Sequence, residues 1–383
     1  MQNSRMNNIR QAPIIQLFSQ VTMPEDVISF GQGIPFFGPP LEAVNAVRTI
    51  CSKPQGYQYS TDQGFRELRK IIAEKIKKEQ KVKINPDTQV MVTAGANQGF
   101  MNILLAISQP ADEIIFFTPT YFNYVMAAKM IGCKPIFVST NQSFQPDLSD
   151  LKNKITNNTK AIVTISPNNP TGAVYTADSL KKINKLCATH SLFHISDEVY
   201  EYFIYDDTPH ISPLQFDSSL SHTISLFSLS KSFSLSGYRI GYMIFPEDLL
   251  SDVLKVQDTN GIVAPSPSQA AAMSVIPLGD SYCKKFFPIL KHNRDHVRNS
   301  LSSLSMINST WTRGAYYFFV NIDSPQSSWN LAKRLIEEYR VIVLPGEMFD
   351  VDHASFRLSY GNLSENILQK GLNRLVEGLK EIC

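Results

Sequence analysis

The chain has 383 residues, 43% hydrophobic and 18% charged, with a formal net charge of +2. That is ample for a sizeable core shared between one large unit and a smaller one, and no bulk field argues for a nucleic acid or an anionic membrane as partner. The 5 cysteines (Cys51, Cys133, Cys187, Cys283 and Cys383) are odd in number and lack CxxC spacing, which argues against a disulfide framework and against a zinc site.

In chain order, MQNSRMNNIR is polar and has no apolar signal core. Residues 1 to about 30 read as an arm, running through IIQLFSQV and VISF into GQGIPFFGPP. In that segment Gly31 and Gly33 precede Pro35 and Pro39-Pro40, which is turn chemistry. Leu41, Val44 and Val47 have helical spacing, and a second helix is expected from about Phe65. Its basic residues between Arg66 and Lys83 alternate with acids and apolar positions, as on a solvated face.

From Gln89 short apolar runs alternate with amphipathic stretches. QVMVTAG, EIIFFTPTY, KPIFVST, KAIVTISPNNPTG, SLFHISDEVY, TISLFS and RIGYMIF read as strands. NQGFMNILLAIS, YVMAAKMIG, DLSDLKNKI and DSLKKINKLCATH read as the helices among them. The alternation predicts an α/β fold, a mostly parallel sheet with helices on both faces.

After about Pro277 the pattern loosens into a smaller α+β domain, which the N-terminal segment completes. Its expected elements are a helix from Tyr282 to Leu304, a strand AYYFFVNI, a helix WNLAKRLIEEY, strands VIVLP and SFRLSY, and a last helix ENILQKGLNRLVEGLKEI. The division expected is 1–45 for the arm and part of the small domain, 46–280 for the large domain and 281–383 for the small one. No apolar run reaches the ~20 residues that span a bilayer, so a soluble, cytoplasmic protein is expected.

Five strands end in TAGAN, TPTY, SPNNPTG, SDEVY and SLSK. Ligands of open α/β sheets bind outside the carboxyl ends of the strands, so the chemistry is expected along one edge. Lys231 stands out there, between two apolar strands and flanked by serines. Lysine is rarely buried without a partner, and burial favours its neutral form. A neutral amine is what Schiff-base chemistry with an aldehyde cofactor requires.

The other candidates each carry an ordinary reading beside the chemical one. Gly95-Ala96-Asn97 at a helix start offers backbone N–H groups to an anion, or is a plain turn; Ser228 and Arg239 can complete a phosphate site. Asp197 fits the partner of a pyridinium nitrogen, or a helix N-cap. Tyr200 and Asn169 fit donors to a phenolic oxygen, or a half-buried strand residue and a turn former. Tyr121 fits a ring-stacking aromatic, or packing. Arg357 in SFRLSY fits a clamp on a substrate carboxylate, or an internal salt bridge. Glu198 reads as structural. His292 and His296 have i, i+4 spacing but no carboxylate motif, so they read as solvated and no metal is expected. GxSxG, GxGxxG and Walker patterns are absent.

Taken together, SPNNPTG, SDEVY and SLSKSFSLSGYRIGY resemble, in order and spacing, the motifs of the class I/II (aspartate aminotransferase-like) fold-type I aminotransferases. The resemblance runs from GQGIPFFGPP to FRLSYG. It implies a pyridoxal 5'-phosphate-dependent transaminase acting on an amino acid and a 2-oxo acid. Lys231 would form the aldimine with the cofactor and carry the proton, Asp197 would pair with the pyridine nitrogen, and Asn169 and Tyr200 would contact the phenolic oxygen. Ala96, Asn97, Ser228 and Arg239 would bind the phosphate, with Tyr59 reaching it from the other subunit of a homodimer. Tyr121 would stack on the ring, Arg357 would bind the carboxylate and Gly33 would contact substrate through its backbone.

The segment VQDTNGIVAPSPSQ carries no arginine for a second carboxylate. With Phe36, Phe37, Tyr121 and Phe122, that favours a neutral or aromatic donor. The alternatives are a C–S β-lyase or decarboxylase of the same fold, and a non-enzymatic cofactor-binding regulator, for which residues 1 to 30 are too short.

Overall fold

The computed structural model describes residues 5–9, 12–206 and 208–383. In chain order its strands are β1 (Ile28–Ser29), β2 (Val90–Thr93), β3 (Glu113–Phe117), β4 (Lys134–Val138), β5 (Thr159–Ile165) and β6 (Phe193–Asp197). They continue as β7 (Thr223–Ser228), β8 (Gly241–Ile244), β9 (Tyr317–Asn321), β10 (Val341–Ile342), β11 (Leu344–Pro345) and β12 (Ser355–Ser359).

The large sheet has the order β2-β8-β7-β6-β5-β3-β4. All its junctions are parallel except the two made by β8, which runs antiparallel to β2 and β7. The α/β reading of the sequence therefore holds. Every residue of β2 and β8 is buried, the pattern of a sheet covered on both faces. Successive side chains serve opposite cores: Met91 packs with Phe100, Ile103 and Phe116, while Val90 and Val92 pack with Leu68, Ile72 and Ile244. Each such buried side chain contributes about 1.5–3 kcal/mol.

The reversal of β8 starts that strand at the edge where the parallel strands end. Gly241, its first residue, faces both Ser228, the last residue of β7, and Thr93, the last of β2. Arg239, two residues earlier, is thereby delivered to the same edge. RIGYMIF contributes to the sheet only from Gly241, because Arg239 itself has a left-handed φ of 50°.

The helix Arg66–Gln80 turns Leu68, Ile72 and Ile76 inward and Lys70, Glu74, Lys77 and Lys78 to solvent. Lys75 departs from the solvated face expected of this cluster. It is buried, and its ammonium lies 2.6 Å from Glu201 and over the Phe227 ring at 4.8 Å.

The smaller sheet is β11-β12-β9, all antiparallel. VIVLP, expected as one strand, is divided between two sheets: Val341–Ile342 pairs with Ile28–Ser29, and Leu344–Pro345 pairs with Phe356 and Arg357. That division ties the N-terminal segment to the C-terminal part. IIQLFSQV, in the N-terminal arm, lies mostly within a helix (Pro13–Ser19). The helix expected from Tyr282 to Leu304 is interrupted after Lys284 and resumes at Phe287. Pro288 explains the restart, since a residue without an N–H is tolerated in a first turn. Among the described residues no helix is long and apolar enough to cross a membrane.

Candidate active site

A cavity of about 560 Å³ opens at the edge where the parallel strands end. Ala96, Asn97, Tyr121, Asn169, Asp197, Tyr200, Ser228, Lys231 and Arg239 line it from the large sheet. Gly33 and Arg357 line it from the N-terminal loop and from β12. Of the residues singled out in the sequence, Tyr59 is outside the cavity of its own chain and is 79% exposed.

At one end of the cavity β7 stops at Ser228, whose side chain accepts from the Ser230 N–H at 3.2 Å and caps the short turn Leu229–Ser232. Lys231 sits on that turn. Its Nζ donates to the Gly33 carbonyl at 2.7 Å. Burial, then the nearby Arg357 and Arg239 cations, lower the amine to about 8 against the opposing pull of Asp197. Beside it the helix Ala96–Ile107 begins with no side-chain cap, so its first N–H groups remain available to an anion. Arg239 donates to the Ala94 carbonyl at 3.2 Å and to that of Ser236 at 2.9 Å. Glycine is needed at 95 because its φ is +86°, and the Arg239 guanidinium lies close against it.

Asp197 closes β6 and is buried. Its Oδ1 accepts from the Val199 N–H at 3.0 Å, a local turn rather than the cap of a helix, and its Oδ2 accepts from the Tyr124 hydroxyl at 2.9 Å. Burial pushes the carboxyl up to about 6, against those two donors. Tyr124 is held by stacking on Phe100 at 3.9 Å and meets Tyr121 edge-on at 5.1 Å. The Tyr121 hydroxyl accepts from Asn123 at 2.8 Å. Glu198 bonds His210 at 2.8 Å and Ser212 at 2.9 Å and does not line the cavity, as its structural reading implies.

Arg357 is 4% exposed. It donates to Asn169 Oδ1 at 2.8 Å and to the Gly31 carbonyl at 2.6 Å, while its Nε has no partner among the described residues. Among the same residues no carboxylate pairs with it, so the internal salt-bridge reading does not hold. A buried guanidinium with an unmet N–H is built to receive an anion.

Two tyrosines escaped the sequence reading. Tyr124 could have been suspected from its place three residues after Tyr121, one helical turn on. Tyr317, within hydrogen-bond reach of Tyr200 at 2.6 Å, left no local trace, because AYYFFVNI reads only as a buried strand. The structure also corrects an expectation. Phe36 and Phe37 do not line the cavity; Phe37 stacks on Phe286 at 4.0 Å and Phe36 meets the same ring edge-on at 5.7 Å. Apolar lining comes instead from Phe122, Ile14, Phe18, Ile34, Ile342 and Leu344.

The lowered basicity of Lys231 has a direct readout. Below about 8 the amine is a cation and inert; above it the free base dominates. In the cofactor-free protein, reductive methylation at Lys231 followed by peptide mass spectrometry should show a rate rising through about pH 8. An ordinary exposed lysine has its midpoint near ~10.4.

A sequence profile of the family described as "Aminotransferase class I and II" matches residues 25–375. The chain is 32% identical to "Probable aspartate/prephenate aminotransferase" of Aquifex aeolicus, over 99% of this chain and 98% of that one. It is 30% identical to "Aromatic aminotransferase ISS1" of Arabidopsis thaliana, covering 97% and 93%. Among solved structures, a single mutant of Thermus thermophilus aspartate aminotransferase superposes with a TM-score of 0.91 at 27% identity, covering 99% of each chain.

Proposed function

The chain belongs to the class I and II aminotransferase family and is an aminotransferase; on that premise we propose that it works with pyridoxal 5'-phosphate, as a homodimer, on neutral or aromatic amino acids. The observation that carries this reading is the meeting, in one cavity, of an amine of lowered basicity, a buried carboxylate and a buried guanidinium with an unmet N–H.

The residues fit the cofactor. An uncapped helix start with Ser228 and Arg239 suits a phosphate, Lys231 suits an aldehyde, and Asp197 suits a protonated ring nitrogen. When bound, pyridoxal phosphate supplies an aldehyde carbon for the amine and a ring that takes up the electrons left when the donor loses its α-proton. The chain's own groups do the rest. Lys231 Nζ, in the free-base form that its lowered basicity brings closer to neutral pH, takes the α-proton and returns it. Asp197 keeps a proton on the ring nitrogen, while Tyr200 and the Asn169 amide nitrogen donate to the phenolic oxygen. Ala96 and Asn97, with Ser228 and Arg239, would hold the phosphate, and Tyr121 would stack on the ring. Arg357 takes the donor's carboxylate, assisted by the backbone at Gly33. The partner subunit's Tyr59 reaches the phosphate, and that tyrosine's exposure in a single chain supports a second copy at this site.

The substrate proposal rests on the lining. Among the described residues its cations are Lys231, Arg239 and Arg357, each with a task already, and its remaining walls are largely apolar. The aromatic relative in Arabidopsis agrees with this, whereas the aspartate-named relatives point to the other choice. Incubation with pyridoxal phosphate, 2-oxoglutarate and phenylalanine, tyrosine or aspartate decides the matter. We expect the aromatic keto acid and glutamate in equal amounts, with kcat/KM for aspartate lower by about tenfold or more. Faster turnover of aspartate would overturn the substrate assignment. Pyruvate and ammonia from a cysteine conjugate, without glutamate, would indicate a lyase.

A further inference from the structure

We infer that Tyr317 is a positioning residue that links the two halves of the site: its hydroxyl orients that of Tyr200, and its ring carries the Arg357 guanidinium. The inference rests on the proposed assignment of Tyr200 to the phenolic oxygen and of Arg357 to the substrate carboxylate.

Three separate contacts converge on this side chain, which is 1% exposed and lines the cavity. The first is the pair of hydroxyls, 2.6 Å apart in a setting of buried rings. Tyr316 and Phe203 both lie edge-on around Tyr200 or each other. The second is the guanidinium of Arg357, 4.5 Å above the Tyr317 ring. Arg357 faces Phe319 across the β12–β9 ladder, so Tyr317, two residues before Phe319, is its diagonal neighbour on the same face. The third is Gly33, where an added Cβ would overlap the Tyr317 hydroxyl. This is the residue whose carbonyl receives Lys231. The tyrosine oxygen thus fills the space that the absent side chain leaves.

Hydrogen counting fixes the direction of the bond between the tyrosines. A phenol has one proton to donate. If Tyr200 spends its proton on an oxygen in the cavity, Tyr317 must be the donor to Tyr200. A hydroxyl that accepts one bond becomes a stronger donor of the next. Tyr317 would therefore make Tyr200 better at stabilising an anionic ring oxygen. A residue that merely packs would not do this, and the two roles separate by substitution.

The test is a double-mutant cycle with Tyr317→Phe and Tyr200→Phe, each loaded with pyridoxal phosphate. The readout is the pH midpoint of the absorption of the protein-bound chromophore. In the Tyr200 background, Tyr317→Phe should raise the midpoint by on the order of 0.5–1 pH unit, a threefold to tenfold change in proton affinity. In the Tyr200→Phe background it should add nothing. Tyr317→Leu, which also removes the ring beneath Arg357, should raise KM for 2-oxoglutarate about threefold to tenfold; Tyr317→Phe should leave it within about twofold. An unchanged midpoint in Tyr317→Phe, or an equal shift in both backgrounds, overturns the inference while the aminotransferase reading stands. A wild-type protein that takes up no pyridoxal phosphate overturns the cofactor reading, and this inference with it.

Discussion

Lys231→Ala is expected to lose both activity and covalent capture of pyridoxal phosphate. Borohydride treatment of the wild-type protein should fix the cofactor to the peptide containing Lys231; the alanine protein should yield no adduct. Turnover should fall by about 10⁴-fold or more, because a positioned base alone is worth roughly 10²–10⁴ and the amine is also the proposed point of attachment. Among the described residues no second lysine lines the cavity, so no neighbour can substitute.

Lys231→Arg makes the same point from the other side. It keeps a cation on the turn but cannot lose its proton in a protein, and it should be as inactive as the alanine protein. The loss in Lys231→Ala should not reflect unfolding. The amine is desolvated next to two guanidinium groups, and removing such a group relieves a cost rather than creating one. The cofactor-free alanine protein should therefore melt no lower than wild type. An adduct on another lysine of Lys231→Ala would sink the assignment.

The parts of this site that were legible in sequence share a physical property: each is constrained locally. Gly95 is marked because glycine suits its φ of +86°. Ser228 and Lys231 are marked because a polar turn interrupts two strands buried almost throughout. Asp197 is marked because it ends a strand whose other residues are mostly apolar or small. Most of the large sheet was legible for the same reason, since near-continuous burial of its central strands leaves no polar alternation to confuse a strand with a loop.

What escaped depends on partners distant in sequence. Nothing near Phe36 and Phe37 announces that Phe286 will claim them. Nothing in VIVLP tells that Val341 will pair with Ile28 while Leu344 pairs with Arg357. Lys75 looked like its solvated neighbours because its partner, Glu201, is 126 residues away. Tyr317 is the most telling case. Its significance lies wholly in Tyr200, Arg357 and Gly33, none of which adjoins it in the chain.

Asp197→Asn should separate binding from chemistry. Both oxygens of the carboxylate already accept a bond, from the Val199 N–H and from the Tyr124 hydroxyl. Burial nevertheless holds the carboxyl up at about 6, so at neutral pH the site keeps an anion whose cost of desolvation awaits a cation. The asparagine amide has the same shape, and its oxygen can still accept from one of the two donors, but it brings no charge. Losing the anion that keeps the proton on the ring nitrogen should lower kcat on the order of 10²–10⁴-fold. KM for the amino acid should stay within about threefold, because the proposed carboxylate clamp is Arg357, on a different sheet. Steady-state kinetics on the loaded protein gives both numbers. A large rise in KM with kcat preserved would mean that Asp197 binds substrate, and its pairing with the ring nitrogen would then be wrong.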